Sequence, residues 1–180
     1  RMEWNNKVVL VTGGTGLLGS TLLRQILTEN PAAKIRAIRR PNSRMDLVKN
    51  VENLIEWVDA DILDIDSLTN ALDGVTHVFH CAAMVSFSPS DAKKMKQVNV
   101  DGTANLVNLS IDQGIKKLVH VSSVAALGRV SGKNVVDENS RWESSSENSR
   151  YALTKMLGEM EVWRGIAEGL GHTGAGVGQA

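Results

Sequence analysis

Val8-Val9-Leu10-Val11-Thr12-Gly13-Gly14-Thr15-Gly16-Leu17-Leu18-Gly19-Ser20 decides how this chain folds. Its first part is apolar at consecutive positions instead of alternating, which predicts a strand over Lys7–Thr12 buried on both faces of a sheet. Its second part spaces glycines at 13, 16 and 19, between that strand and a helical stripe over residues 17–28. Gly13 permits a tight turn, Gly16 lets the backbone approach a pyrophosphate, and Gly19 allows close packing of helix on strand. The helix N-terminus then faces the phosphates. Strand, glycine run, helix and second strand follow in the order that a dinucleotide-binding loop requires.

Outward from that segment, short β-branched runs alternate with helical patterns, the mark of parallel βαβ units. The expected fold is α/β: a doubly wound parallel sheet, a Rossmann fold, in three αβα layers. On the first helix Leu18, Leu22, Leu23, Ile26 and Leu27 make the apolar stripe, and Asn30 and Pro31 stop it. Further strands are expected at Lys34–Arg39, Leu54–Val58, Thr76–His80 and Lys117–Ser122. A helix is expected from an Asp64 N-cap to Leu72, ended at Gly74. A longer one covers about 89–112, where Met95, Val98, Gly102, Leu106 and Leu109 recur at helical spacing. The polar stretch Asp137–Ser149 reads as an exposed loop leading into a helix that carries Tyr151.

Composition narrows the function without giving it. With 180 residues, 42% hydrophobic and 22% charged, the chain can bury a real core and reads as one domain or part of one. Twenty basic residues balance twenty acidic ones and are spread out, so no nucleic-acid or membrane partner is expected. Cys81 is the single cysteine, which excludes an intrachain disulfide and makes a reducing cytoplasm the default location. No apolar run reaches membrane-spanning length. His77, His80 and His120 lie in or beside strands without metal-ligand spacing, so packing roles and no metal site are expected.

The chain's only tyrosine, Tyr151, stands one helical turn before Lys155. A phenol and an ammonium so placed share a helix face, and the lysine can bias the ionisation of the tyrosine. With the TGxxGxxG run Thr12–Gly19, this pairing resembles the short-chain dehydrogenase/reductase superfamily, in its extended branch. Other segments add to the resemblance in order along the chain: Asp61-Ile62, Cys81-Ala82-Ala83, Val98–Thr103, and Val121-Ser122-Ser123 followed by Gly128.

The resemblance implies roles. Tyr151 would be the general acid and base, Lys155 would support it and hold the nicotinamide ribose, Ser123 would fix the substrate oxygen, and Asn99 would support the lysine through water. The cofactor would contact Gly13, Thr15, Gly16, Leu17, Leu18, Gly19, Arg39, Asp61, Ile62, Cys81, Ala82, Ala83 and Val121, as well as Tyr151 and Lys155. From the residues alone plainer roles stay open. Asp61 can cap a turn, Cys81 can be a small packing residue, and Asn99 can hold the turn after the fourth strand. One of Ser122 and Ser123 can merely satisfy backbone groups. Trp142, in the loop before Tyr151, is the tryptophan nearest the expected site in sequence.

Where an acidic residue would select NAD(H), at the end of the second strand, the chain has Ile38-Arg39-Arg40. A guanidinium suits a 2′-phosphate, so NADP(H) is the expected cofactor, with Arg39 as its main contact and NAD(H) as the alternative. Val124-Ala125 replace the acidic pair of nucleotide-sugar dehydratases, and Leu127 replaces a tyrosine of sugar epimerases. His80–Phe87 and Ser122–Gly128 are more similar to dihydroflavonol reductase and 3β-hydroxysteroid dehydrogenase relatives. An apolar carbonyl or alcohol substrate is therefore implied. An NAD-dependent nucleotide-sugar epimerase and a noncatalytic NAD(P)-sensing protein are the competing readings.

The resemblance also implies a homodimer through the helix of residues 89–112 and the tyrosine-bearing helix. It covers residues 1–170 as one NAD(P)-binding domain. Residues 171–180, glycine-rich and without strand periodicity, read as a truncated or mis-joined start of the substrate-binding part. Arg1 ahead of Met2 reads as a tag remnant or a fragment start.

Overall fold

The computed structural model describes residues 6–129, 132, 135–146 and 148–171. Its centre is the expected apolar run, β1 (Val8–Thr12), which pairs on both sides with parallel strands. On one side lie β2 (Lys34–Arg39) and then β3 (Glu56–Asp59); on the other lie β4 (His77–His80) and then β5 (Lys117–His120). The sheet order β3-β2-β1-β4-β5 is that of a doubly wound sheet. The chain steps outward from β1 to β3, then returns to start again beside β1.

Helices cover both faces, giving three layers. α1 (Leu17–Glu29) lays Leu23, Ile26 and Leu27 on Val9, Val11, Ile35 and Ala37. The opposite face, with Leu10, Val78 and Leu118, is covered by α2 (Ile65–Leu72), α4 (Gly102–Asp112) and α5 (Arg150–Ala167). Leu10 and its neighbours Val9 and Val11 are each 0% exposed and serve different faces, so the unbroken apolar run is a property of a doubly covered strand. Each fully buried Val or Leu of this kind contributes about 1.5–3 kcal/mol. Among the described residues no helix is long and apolar enough to cross a membrane.

Expectations shift at the ends of elements. β5 stops at His120 instead of Ser122. Leu18, expected on the buried stripe, is 48% exposed, and Leu17 is 78% exposed. The first turn of α1 lies at the strands' C-terminal edge, where none of the described residues covers it. β3 starts at Glu56 instead of Leu54, because pairing with β2 begins at Arg36↔Glu56; Glu52–Leu54 form a 3-10 turn before it.

The helix expected over 89–112 is continuous but not uniform. A 3-10 turn (Pro89–Asp91) leads to α3 (Ala92–Lys96), then a π-helical turn (Gln97–Asp101) and α4. π turns relax the backbone ladder and let a side chain be re-aimed. Here the residue at the turn's centre is Asn99, 3% exposed, and the freed Asn99 carbonyl accepts the Thr103 hydroxyl at 2.9 Å. Of the expected tail 171–180, all but Gly171 falls outside the described residues, as do Arg1 and Met2.

Candidate active site

Parallel strands end on one edge, and the reversal of order between β1 and β4 opens a crevice there. A cleft of about 480 Å³ occupies that edge. The glycine loop supplies Gly13, Thr15 and Gly16; the end of β2 supplies Ile38, Arg39, Arg40 and Ser43; the turn after β3 supplies Ala60, Asp61 and Ile62. Cys81–Met84, after β4, form another wall, and Lys94 and Val98 of the α3 and π-turn run close it. Of the residues expected to contact the cofactor, Gly13, Thr15, Gly16, Arg39, Asp61, Ile62, Cys81, Ala82 and Ala83 line this cleft, whereas Leu17, Leu18, Gly19, Val121, Tyr151 and Lys155 are not part of its lining.

The loop's shape depends on missing side chains. Gly13 has φ +70°, and a Cβ there would stand 2.6 Å from the Ala82 nitrogen. A Cβ on Gly19 would stand 2.1 Å from the Gly13 carbonyl oxygen. Gly16 caps α1 without any side-chain hydrogen bond, and no acidic residue sits in the first turn. The first backbone N–H groups of Leu17, Leu18 and Gly19 therefore carry the helix's positive end with no intrahelical partner. These features fit a dinucleotide's phosphates.

Asp61 closes a turn at the cleft. Its Oδ1 accepts the Leu63 N–H at 2.9 Å, closing a turn, while the residue lines the cleft. Arg39 is not free: its Nε donates to Asp59 Oδ1 at 3.1 Å, and its Nη1 is 4.0 Å from a Glu52 carboxylate oxygen. Arg40 is exposed, and its backbone N–H donates to Ser43 Oγ at 3.0 Å.

Around the corner, at the end of β5, lies the second half of the site. Lys155 is 4% exposed and donates from Nζ to the Val121 carbonyl at 2.9 Å. Burial pushes its pKa below the usual lysine value, opposed by the charge of Glu159 and by Cys81. Tyr151 is half-buried in the first turn of α5, whose N-cap is Ser149; the Ser149 Oγ accepts the Ala152 N–H at 3.0 Å. The Phe87 ring, 77% exposed, meets the Tyr151 ring edge-on at 6.4 Å. The two serines part company: Ser122 Oγ donates to Glu159 Oε2 at 2.5 Å, whereas Ser123 Oγ accepts the Ala125 N–H at 3.2 Å. Ser123 therefore keeps its own hydroxyl proton for another acceptor.

Asn99 holds the turn after β4, the plainer of the roles open to it. Its amide hydrogens go to the Met84 carbonyl at 2.8 Å and to Thr154 Oγ1 at 3.1 Å, and its Oδ1 accepts the Met84 N–H at 2.8 Å. It ties the cleft wall to the residue before Lys155, and has no amide hydrogen left for a water beside the lysine. Cys81 stands in the cleft wall, and burial raises its thiol pKa to about 11, so near neutrality it is a thiol and not a thiolate. Trp142 packs its ring over Gly128.

His80 does more than pack. Thr103 Oγ1 spends its proton on the Asn99 carbonyl, so His80 Nε2 must be the donor in the 2.8 Å contact with Thr103 Oγ1. His80 Nδ1 then accepts the Thr12 hydroxyl at 2.7 Å, and Thr12 Oγ1 accepts the Ala82 N–H at 3.2 Å. One neutral imidazole thus joins the glycine loop, the β4 loop and the π turn, and burial holds its pKa well below 6.5. No motif announces this chain of bonds, because Thr12, His80 and Thr103 meet only through strand register, with Thr12 opposite His80. Glu159 was also missed, although its place one turn after Lys155 on the same helix face was a usable signal.

A parallel sheet with a glycine loop, an edge cleft and a lysine-bearing helix beside the fifth strand places the protein in the short-chain dehydrogenase/reductase superfamily. The profile of the 3-beta hydroxysteroid dehydrogenase/isomerase family matches residues 10–168, and the chain belongs to that family. It is 34% identical over 174 residues to a putative dihydroflavonol 4-reductase of Synechocystis sp., covering 93% of this chain and 49% of that protein. The crystal structure of gox2253 superposes with a TM-score of 0.79 at 36% identity, over 92% of this chain and 49% of that one. A short-chain dehydrogenase/reductase superfamily protein from Agrobacterium tumefaciens with bound NAD gives a TM-score of 0.71 at 29% identity, over 86% and 44% of the two chains. The chain spans about half the length of these relatives.

Proposed function

We propose that this chain is the nucleotide-binding and proton-handling part of an NADP(H)-dependent oxidoreductase that interconverts a carbonyl and its alcohol, with Tyr151 as general acid and base. The observation that carries the reading is Lys155: a lysine buried to 4% exposure, one turn from the chain's only tyrosine and bonded to the carbonyl two residues before Ser123. Burying an ammonium costs several kcal/mol unless its charge is used.

A nicotinamide held at the cleft would supply or accept the hydride. Negative charge then grows on the substrate oxygen, and Tyr151 supplies the proton it needs. Lys155 stands one turn from Tyr151 on the same helix face, so its charge lies on the side of the site where the proton is handled. Val121 takes one of the three N–H bonds of Lys155, which leaves two for ribose hydroxyls. Ser123 offers its hydroxyl proton to the substrate oxygen and orients it. Asn99 acts by holding Met84 and Thr154 in place.

Arg39 and Arg40, both lining the β2 end of the cleft, support a 2′-phosphate. Because Arg39 is already shared with Asp59 and Glu52, NAD(H) is the second reading. The exposed Phe87 beside Tyr151 supports an apolar substrate. Leu153, Met160 and Trp163, 42%, 56% and 52% exposed along α5, support a homodimer through that helix. Turnover of NADPH and NADH against a panel of ketones and aldehydes tests the reading. Wild-type protein reduces at least one of them and Tyr151→Phe loses at least about a hundredfold in kcat; equal rates for the two would sink it.

A further inference from the structure

Three consecutive residues leave β5, and each is held differently. The Val121 carbonyl accepts from Lys155 Nζ at 2.9 Å, the buried Ser122 donates to Glu159 Oε2 at 2.5 Å, and Ser123 Oγ accepts the Ala125 N–H. Lys155 and Glu159 are one turn apart, so one face of α5 grips both residues that precede Ser123. The other Glu159 oxygen accepts Trp163 Nε1 at 3.3 Å, one further turn along the helix, which limits how the carboxylate can rotate.

We propose that Glu159 is a positioning residue: through Ser122 it holds the β5 exit that carries Ser123, and one turn from Lys155 its carboxylate is the counter-charge to the buried ammonium. This rests on the reading of Tyr151 and Lys155 as the proton-handling pair. The groups around Lys155 are Cys81 after β4, His80 on β4, His120 on β5, and Glu159 and Tyr151 on its own helix. Burial keeps both imidazoles neutral and raises the thiol to about 11. None of those three groups carries a charge near neutrality, and Glu159 supplies the negative charge that offsets the desolvation of the ammonium. When the ribose hydroxyls draw on Lys155, the Ser122–Glu159 bond still ties the strand end to the helix.

Glu159→Gln keeps an oxygen to accept from Ser122 but removes the charge, whereas Ser122→Ala removes the bond and keeps the charge. The Lys155 titration is read by NMR on lysine labelled at Cε and Nζ, in protein without cofactor, its signal assigned by loss in Lys155→Met. In Glu159→Gln the Lys155 pKa falls by about one pH unit, and in Ser122→Ala it moves by less than about 0.3. Ser122→Ala lowers kcat about tenfold while the cofactor KM changes less than about threefold. The alkaline limb of the kcat profile shifts down in Glu159→Gln alone. An unmoved lysine titration in Glu159→Gln, or wild-type kcat in Ser122→Ala, overturns the proposal. If Glu159→Gln does not fold, Glu159→Asp replaces it: the charge stays, the reach shortens, and kcat must fall with the lysine titration kept. Wild-type protein that reduces no carbonyl refutes the oxidoreductase reading, and the lysine titration then decides the charge role by itself.

Discussion

Replacing His120 with leucine exposes how far the buried side of the site tolerates protons. The imidazole is 3% exposed, its ring lies 5.3 Å from that of His80, and neither of its nitrogens has a hydrogen-bond partner among the described residues. Burial, with the nearby Lys155 charge, lowers its pKa to about 3. The unfolded chain takes up that proton near 6.5 and the folded chain refuses it, so between those values the unfolded state binds more protons. Stability therefore falls as the pH drops below about 6.5. Each unit of displacement is worth about 1.4 kcal/mol, so at about pH 5 His120 alone destabilises the fold by roughly 2 kcal/mol. Leucine at 120 removes that proton uptake and the two unpaired nitrogens together. Urea unfolding of wild type and His120→Leu, at about pH 7.5 and again at about pH 5, measures the difference. The variant should be at least as stable as wild type at the higher pH, and its relative stability should improve by about 2 kcal/mol at the lower one. The same stability gap at both values would mean that the folded protein accepts a proton on His120, and the reasoning would fail.

Gly19→Ala drives a methyl group into the Gly13 carbonyl, 2.1 Å away, and should weaken dinucleotide binding by at least about tenfold by calorimetry, with about 1–3 kcal/mol lost in stability. The double variant Arg39→Ala/Arg40→Ala should lower affinity for NADPH relative to NADH by about ten- to a hundredfold, since charge-assisted bonds to phosphate are worth about 1.5–3 kcal/mol; an unchanged ratio would favour the NAD(H) reading. Trp163→Glu places a charge on the exposed apolar face of α5 and should convert the proposed homodimer to monomers by light scattering; a wild type that is itself monomeric would refute that interface.

Much of the fold is legible in the chain because its signals are local. An apolar run flanked by glycines announces a doubly covered strand, and the order of strands and helices announces a parallel sheet. The misplacements of Leu18 and Leu54 arise at element ends, where the partner surface stops and helical or strand periodicity no longer decides burial. In the site, Gly13, Gly16, Asp61 and Cys81–Ala83 are recognisable because they sit at the ends of strands. The bonds of His80, Thr12 and Thr103 are not, since they depend on which residues face each other across β1, β4 and the π turn. The bonds of Asn99 are not legible either, since it takes the π turn to aim its amide at Met84 and Thr154. Arg39 carries the right charge for a phosphate, but its partners Asp59 and Glu52 come from segments about twenty and thirteen residues away, joined to it by the pairing of β2 and β3.

In the proposed reaction the cleft and the Tyr151–Lys155 pair act together on one carbonyl carbon. NADPH deuterated at the transferring position of its nicotinamide, incubated with the protein and the ketone and aldehyde panel, tests it most directly by mass spectrometry. The label should appear on the carbinol carbon of a product made by the wild type, and should be lost with Tyr151→Phe. Cofactor bound in the cleft with no labelled alcohol from any carbonyl would contradict the account.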